Sequence, residues 1–374
     1  MKFLHLVPNK GLNGSRHYLG STKDIASRVQ YFIDRGIPFE VVGLNKHAKD
    51  SVEALRQIPL REFSHVLIEK NNFWSVLRYL RRNGPHLEIW YRGHNAEIPH
   101  RIDHFMSAIP PPRLIKIRSA LRNIFLFGAM DVYTAPVVDR VLAICEWEQN
   151  HYWNFLSSTS RVHNVPFFLS RDYLSEIPKA PIKQAQCVCV TSTSPGPITH
   201  DAVRGFARAL QDLGPKGHEN WQFAVSGYSE PWMEKLFGET GIPVEWKWGA
   251  SPYEVMAPAR AIAIFSDYGR GFKTKILEAL QCRARVLTTP GLFRRLPDAL
   301  KPFCVEVNLG VTDSFRRALE IAATPFPVGE PNELVQNVAY QSLDRILGLQ
   351  TQLSGSQSNI ELERRYWWSS HEAI

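Results

Sequence analysis

At 374 residues the chain exceeds what one hydrophobic core usually serves, which predicts two domains. Its 44% hydrophobic and 11% aromatic content, with ten Trp, excludes a mainly disordered polymer. The 44 Lys and Arg against 36 Asp and Glu leave a formal charge of +8, which suits anionic partners: phosphates, nucleotides, nucleic acid or lipid headgroups.

No run of uncharged apolar residues reaches the roughly 18 that a spanning helix needs, and MKFLHLVPNK turns polar after one short apolar stretch. The expectation is a soluble, cytoplasmic chain without a cleavable signal peptide. Five Cys, an odd number without the paired spacing of a zinc ribbon or a disulfide framework, agree with a reducing compartment.

In chain order, Phe3–Val7 predicts a strand, Ser21–Arg35 a helix stopped by Gly36, Phe39–Leu44 and His65–Glu69 strands, and Trp74–Arg82 a helix. Leu87–Tyr91 predicts a strand ending in the loop Arg92-Gly93-His94-Asn95-Ala96-Glu97. After three prolines, Leu114–Met130 predicts a helix in which Lys116, Arg118 and Arg122 are interleaved with Ile115, Ile117, Leu121, Ile124 and Leu126. That pattern fits an anionic membrane surface, and equally a helix packed on a core. Val138–Ile144 predicts a strand, Glu146–Phe155 a helix, and Ser170–Ala185 a polar connector between domains.

A second alternating series follows: strands at Cys187–Thr191, Trp221–Ser226, Val244–Trp248, Ala261–Phe265, Arg285–Thr289 and Phe303–Val307, with helices between them. Cys187 and Cys189 share a strand face, where ordinary packing is the plain reading and redox or metal work the alternative. Asn332–Leu349 predicts a closing helix. The division is 1–172, 173–350 and a tail, 351–374. Arg364, Arg365, Trp367 and Trp368 in that tail are read as docking on the body, touching lipid or forming a poorly ordered end.

The informative segment is Asp267-Tyr268-Gly269-Arg270-Gly271-Phe272-Lys273-Thr274-Lys275-Ile276-Leu277-Glu278-Ala279-Leu280, between an apolar strand and a helix. Glycines let the backbone approach a ligand, a helix start presents unpaired N–H groups, and Lys273 and Lys275 add positive charge. Together they form an anion cradle. Glu278 has the wrong sign for phosphate but can accept hydrogen bonds from a diol such as a ribose. The alternative is a Gly-rich turn before a surface helix whose lysines face water.

Continued into Arg285-Val286-Leu287-Thr288-Thr289-Pro290-Gly291, the segment resembles the donor region of retaining GT-B glycosyltransferases, family-four-like and of the bacterial surface-polysaccharide type. Their pattern is an acid, seven other residues, Glu-Ala, then a Val-x-x-Thr strand and a Gly. Trp248-Gly249-Ala250 is similar to the loop at the nucleobase, and Gly227-Tyr228 to the end of the preceding strand. Asn9–Arg16 matches the glycine-containing loop after strand one, and His94 the histidine closing a later strand. The likeness spans most of residues 1–325, with its specific part at Gly269–Gly291.

The resemblance implies an α/β fold of two Rossmann-like domains facing a central cleft, with a nucleotide-diphosphate sugar on the second and a glycan or lipid-linked acceptor on the first. It implies a hexosyltransferase-like enzyme acting with retention and without metal, cytoplasmic or peripheral at the inner face of the membrane. His94, Lys275 and Glu278 are the implied catalytic residues. Gly14, Ser15, Arg16, Asn95, Glu97, Gly227, Gly249, Gly269, Arg270, Gly271, Phe272, Lys273 and Thr274 are the implied substrate-binding residues.

Two departures stand out. Arg270 occupies the first acidic position of the pattern, and the Arg and Lys usual after the first strand of the second domain are absent from Thr191–Pro197. An inactive nucleotide-sugar-binding protein therefore stays open, as does a sugar-nucleotide epimerase of the same architecture. A metal site at His94, Glu97, His100 and His104 is opposed by Pro99, expected to interrupt any helix that would align them. Nucleic acid is disfavoured because the basic residues are dispersed.

Overall fold

The computed structural model describes residues 1–9, 19–44, 47–69, 74–94, 96–106, 114–178, 182–191, 196–214, 220–247, 251–268 and 271–349. The predicted tail, 351–374, lies outside them.

The first half forms a six-stranded parallel sheet from β1 (Phe3–Pro8), β2 (Phe39–Leu44), β3 (His65–Glu69), β4 (Glu88–Arg92), β5 (Arg140–Ala143) and β6 (Val162–Asn164), in the order β2-β1-β3-β4-β5-β6. The second half repeats the plan with β7 (Gln184–Val190), β8 (Gln222–Ser226), β9 (Val244–Lys247), β10 (Ala259–Ile264), β11 (Arg285–Thr288) and β12 (Cys304–Glu306), in the order β12-β11-β10-β7-β8-β9. Parallel strands need crossover connections, so helices cover both faces and the strands read as continuous apolar runs.

Alternation along those runs separates the cores. Leu4, Leu6, Val66, Ile68, Ile89 and Tyr91 fill one face of the first sheet, while Phe3, Leu67, Trp90 and Leu142 fill the other. That second face is continuous with the second half, through Phe167, Phe168, Tyr173 and Tyr253, as far as Val188, Ile262 and Val286. Cys187 and Cys189 point together into the outer apolar cluster, among Phe206, Phe223 and Phe237, which is the packing reading of that pair.

Helices α1 (Gly20–Asp34), α2 (Ala48–Arg56), α3 (Trp74–Asn83), α4 (Glu97–Met106) and α5 (Leu114–Val137) belong to the first half. On α3, Val76, Leu77 and Leu80 are buried, one face of a 3.6-residue period. The expectation that Pro99 interrupts a helix fails. Pro99 is the third residue of α4, where its missing N–H removes no intrahelical bond. Helix α5 runs past the predicted Met130 and carries Pro136 in its last turn. The polar connector is also less solvated than expected, since Arg171–Ser175 is helical and Tyr173 and Ile177 enter the shared core.

The helix Pro331–Leu347 reaches the back of the first half. There Tyr31 Oη donates to Asp344 at 2.9 Å, Arg35 grips the same carboxylate at 2.8 and 2.6 Å, and Tyr340 Oη donates to Asp34 at 2.8 Å. Asn332 bridges the backbone N–H and C=O of Leu169 at 2.6 and 3.0 Å. Among the described residues no helix is long and apolar enough to cross a membrane.

Candidate active site

Strand order fixes where a ligand fits. In the first sheet the chain leaves β1 for β2 on one side and later crosses to β3 on the other; in the second, β7 and β10 are the corresponding pair. At such reversals the connections diverge and open a crevice at the carboxyl ends of the strands. These ends carry Pro8 and Glu69 in the first half, and Thr191 and the run Phe265–Tyr268 in the second.

In the first half the crevice rests on a buried charge network. His94 follows β4, and its Nε2 lies 2.8 Å from Glu69 Oε2 and 3.8 Å from Asp24. The other Glu69 oxygen meets His5 Nε2 at 3.0 Å and Arg28 Nε at 2.8 Å. Asp24 pairs with Arg28 at 2.6 Å and with Arg92 at 2.9 and 2.8 Å. Burial alone would raise both carboxyls, but the cations outweigh it. Arg28 and Arg92 hold Asp24 down at about 2, and Arg28 with the two histidines holds Glu69 well below the usual range. With Glu69 ionised, His94 presents Nε2–H to it and turns Nδ1 away from that contact. That Nδ1 is buried without a hydrogen-bond partner among the described residues.

Asp24, Glu69 and His94 have ligand atoms within 4.8 Å of one another, the spacing of a metal site. They do not fit a cation, because Arg28 and Arg92 already neutralise both carboxylates and would repel it. Among the described side chains, which exclude His104, the set read from sequence does not form a metal-binding group: Glu97 pairs with Arg101 at 3.0 Å, and the His100 ring packs edge-on against Tyr268 at 5.5 Å. Glu97 opens α4, its N–H donating to Asp131 at 3.2 Å. Asp131 also accepts from Tyr152 at 2.6 Å, and burial lifts its carboxyl to about 7.

In the second half, the helix Thr274–Gln281 starts at the crevice. Lys273 precedes it and donates to the Tyr268 carbonyl; Lys275 reaches across to the Thr191 carbonyl at the end of β7. Neither lysine has a carboxylate ion-pair partner among the described residues. Burial, with Arg295 and Lys275 nearby, lowers Lys273 to about 7, and burial lowers Lys275 to about 8. Two lysine side chains at a strand-end crevice, with no carboxylate in ion-pair contact among the described residues, form a place for an anion. Glu278, one turn on, is 2% exposed, and its Oε2 lies 2.8 Å from Lys23 of α1.

Gly271 is buried, Phe272 packs on Phe167 with ring centroids 6.0 Å apart, and Thr274 faces Gly20. Gly227 follows β8 at φ 118°, a conformation that a side chain resists. Gly14, Ser15, Arg16, Asn95, Gly249, Gly269 and Arg270 lie outside the described residues.

Sequence reasoning missed Lys23, Glu69 and Asp267. Asp267 is an exposed carboxylate after β10, held by Thr289 Oγ1 at 2.7 Å and by Arg295 at 3.4 Å. Gly291 packs so closely on it that any Cβ would overlap the carboxylate. That glycine was the available signal for Asp267; Lys23 and Glu69 carry no local motif.

No model of a known protein family matches the sequence, and no curated protein matches it. Solved structures do. HepE of Anabaena in complex with UDP aligns with a TM-score of 0.53 at 14% identity, over 94% of this chain and 98% of that one. The apo lipopolysaccharide outer core galactosyltransferase WaaB gives 0.57 at 15% identity, over 94% and 100%. The trehalose-6-phosphate synthase OtsA gives 0.57 at 8% identity, over 94% and 100%. Two six-stranded parallel sheets in this order, matched over nearly the whole chain, are the GT-B fold of glycosyltransferases, and this protein has that fold.

Proposed function

We propose that the protein is a glycosyltransferase that moves a sugar from a nucleotide-diphosphate sugar to a glycan or lipid-linked acceptor. The observation that carries this reading is the pair Lys273 and Lys275, half-buried at the β7/β10 crevice, with no carboxylate in ion-pair contact among the described residues and one turn from Glu278. The lysines suit a diphosphate and Glu278 suits a ribose diol. HepE bound to UDP and to UDP-glucose supports a uridine nucleotide as the first donor to try.

In the reaction the anomeric C–O bond breaks and its electron pair stays on the β-phosphate oxygen. Lys273 and Lys275 stabilise that charge in a water-poor site, which is the role a divalent metal would otherwise fill. The acceptor hydroxyl attacks the anomeric carbon from the face the phosphate leaves, so configuration is retained, and its proton passes to the departing phosphate oxygen. His94, fixed through Nε2 by Glu69, offers Nδ1 to a sugar or acceptor hydroxyl and so positions it.

The acceptor side carries a feature that suits a lipid-linked substrate. Phe125, Leu126 and Leu121 on α5 are 73%, 57% and 44% exposed beside exposed Arg118 and Arg122. Trp74 of α3, 55% exposed, packs edge-on against Tyr133 of α5, with Arg78 5.9 Å from its ring. Apolar and basic groups mixed on one surface fit the inner, anionic face of a membrane and a cytoplasmic enzyme docked there peripherally.

A panel of nucleotide sugars, scored first by thermal shift and then by nucleotide release with candidate acceptors, tests the reading. Binding raises the melting temperature, and acceptor-dependent release marks a transferase. If no nucleotide sugar shifts the melting temperature, the reading is wrong; if one binds but no acceptor releases nucleotide, the protein is a binder.

A further inference from the structure

The carboxylate assigned to the donor is already occupied. Glu278 Oε2 lies 2.8 Å from the ammonium of Lys23, which comes from the opposite half, and the two side chains are 3% and 1% exposed. The same ammonium lies 5.5 Å from the Tyr173 ring and 5.4 Å from the Tyr253 ring. While this pair holds, a diol has no route to Glu278.

The surroundings show a closed front. Gly20, at the start of α1, abuts Thr274 so closely that a Cβ there would stand 3.0 Å from Thr274 Oγ1. His100 of the first half packs on Tyr268 of the second. At the back, Tyr31, Arg35 and Tyr340 join the halves through Asp344 and Asp34, and none of these belongs to the donor crevice. Besides the shared apolar core, the halves are thus tied by a front contact that a donor must displace and a back contact that it leaves alone.

We propose that Lys23 is a latch: it holds Glu278 in the donor-free protein, and an arriving nucleotide sugar displaces it, so that donor binding is coupled to release of the two halves at the front. This rests on the assignment of Glu278 to the donor. A latched population lowers apparent affinity by the fraction of molecules that are open, so weakening the latch tightens binding.

Calorimetry of Lys23→Met against the unaltered protein, with UDP-glucose or whichever nucleotide sugar the unaltered protein binds, tests it. The latch predicts a Kd lower by about tenfold or more in Lys23→Met; an unchanged or higher Kd overturns it. An unaltered protein that binds no nucleotide sugar sinks the donor-site assignment itself, which is a distinct result. If Lys23→Met does not fold, the pair Gly20→Cys and Thr274→Cys replaces it. A Cβ at Gly20 stands 3.6 Å from Thr274 Cβ, within disulfide range, and the five native cysteines are buried. Oxidation should then weaken nucleotide-sugar binding about tenfold or more relative to the reduced form; equal binding in both forms overturns the latch.

Discussion

Lys273 and Lys275 give up protons more readily than free lysines because burial outweighs the pull of the carboxylates around them, Asp201 and Asp267 for Lys273 and Glu278 for Lys275. With values of about 7 and about 8, much of this charge is absent at pH 8 in the empty protein. A diphosphate restores it by favouring the charged form. Binding of a nucleotide sugar at pH 8 should therefore take up protons, read from calorimetry in buffers of differing ionisation enthalpy. Lys275→Ala should reduce that uptake and lower kcat about tenfold or more. Uptake and turnover equal to those of the unaltered protein would remove Lys275 from the phosphate site. At this scale the sequence was informative only where chemistry is local. Lys273, Lys275 and Glu278 stand within one turn and helix, so their spacing shows them together. The partners of His94 and Glu278 come from β3 and α1, and no spacing rule joins residues so far apart.

Elements were legible where the apolar period was strong. Strands β2 and β3 were read at their observed bounds because both carry adjacent branched apolar residues, Val41-Val42 in the half-buried edge strand and Val66-Leu67-Ile68 in the buried inner one. Helix α4 was misjudged because Pro99 was weighed as a breaker without regard to its place in the first turn, and α2 was not read at all, its burial being confined to Ser51 and Leu55. The faces of α3 and α5 carry the membrane prediction. At low salt the protein should sediment with vesicles containing anionic lipid, and Phe125→Ser with Leu126→Ser should reduce the bound fraction several-fold. No sedimentation with anionic vesicles at low salt would dismiss the surface as a lipid contact.

For the whole molecule, two buried sets of carboxyls pull stability in opposite directions with pH. Asp24 is depressed to about 2 by its arginines, so its contribution is complete above the unfolded value near 4 and is lost as pH falls toward 2. Asp131 and Glu148 are raised by burial, to about 7 and about 8, so folding holds protons that the unfolded chain releases. Their effect is a loss of stability as pH climbs from about 4 to about 8. Glu148 accepts from Trp153 Nε1 at 3.3 Å, and its other oxygen has no hydrogen-bond partner among the described residues. Glu148→Gln keeps an acceptor without the charge and should raise the unfolding free energy at pH 8 by roughly 1–3 kcal/mol, with little change at pH 4. Denaturant unfolding at both pH values reads this directly, and an equal effect at both would mean that ionisation of Glu148 is not the cause.

The two-sheet architecture follows from alternating strand and helix signals, but the joint between the halves does not. Phe167 and Phe168, just before the stretch read as a connector, and Tyr173 within it form the joint with Tyr253 of the second half. That joint sets the geometry of the cleft, in which Glu278 is the proposed contact to the donor. The most direct measurement is a calorimetric titration of a nucleotide sugar into Lys23→Met, where Glu278 has lost its ion pair, and into Lys23→Met with Glu278→Ala, with circular dichroism to establish that both are folded. Saturable binding that weakens about tenfold or more when Glu278→Ala is added is the predicted result; equal affinity in the two proteins would contradict the donor site described.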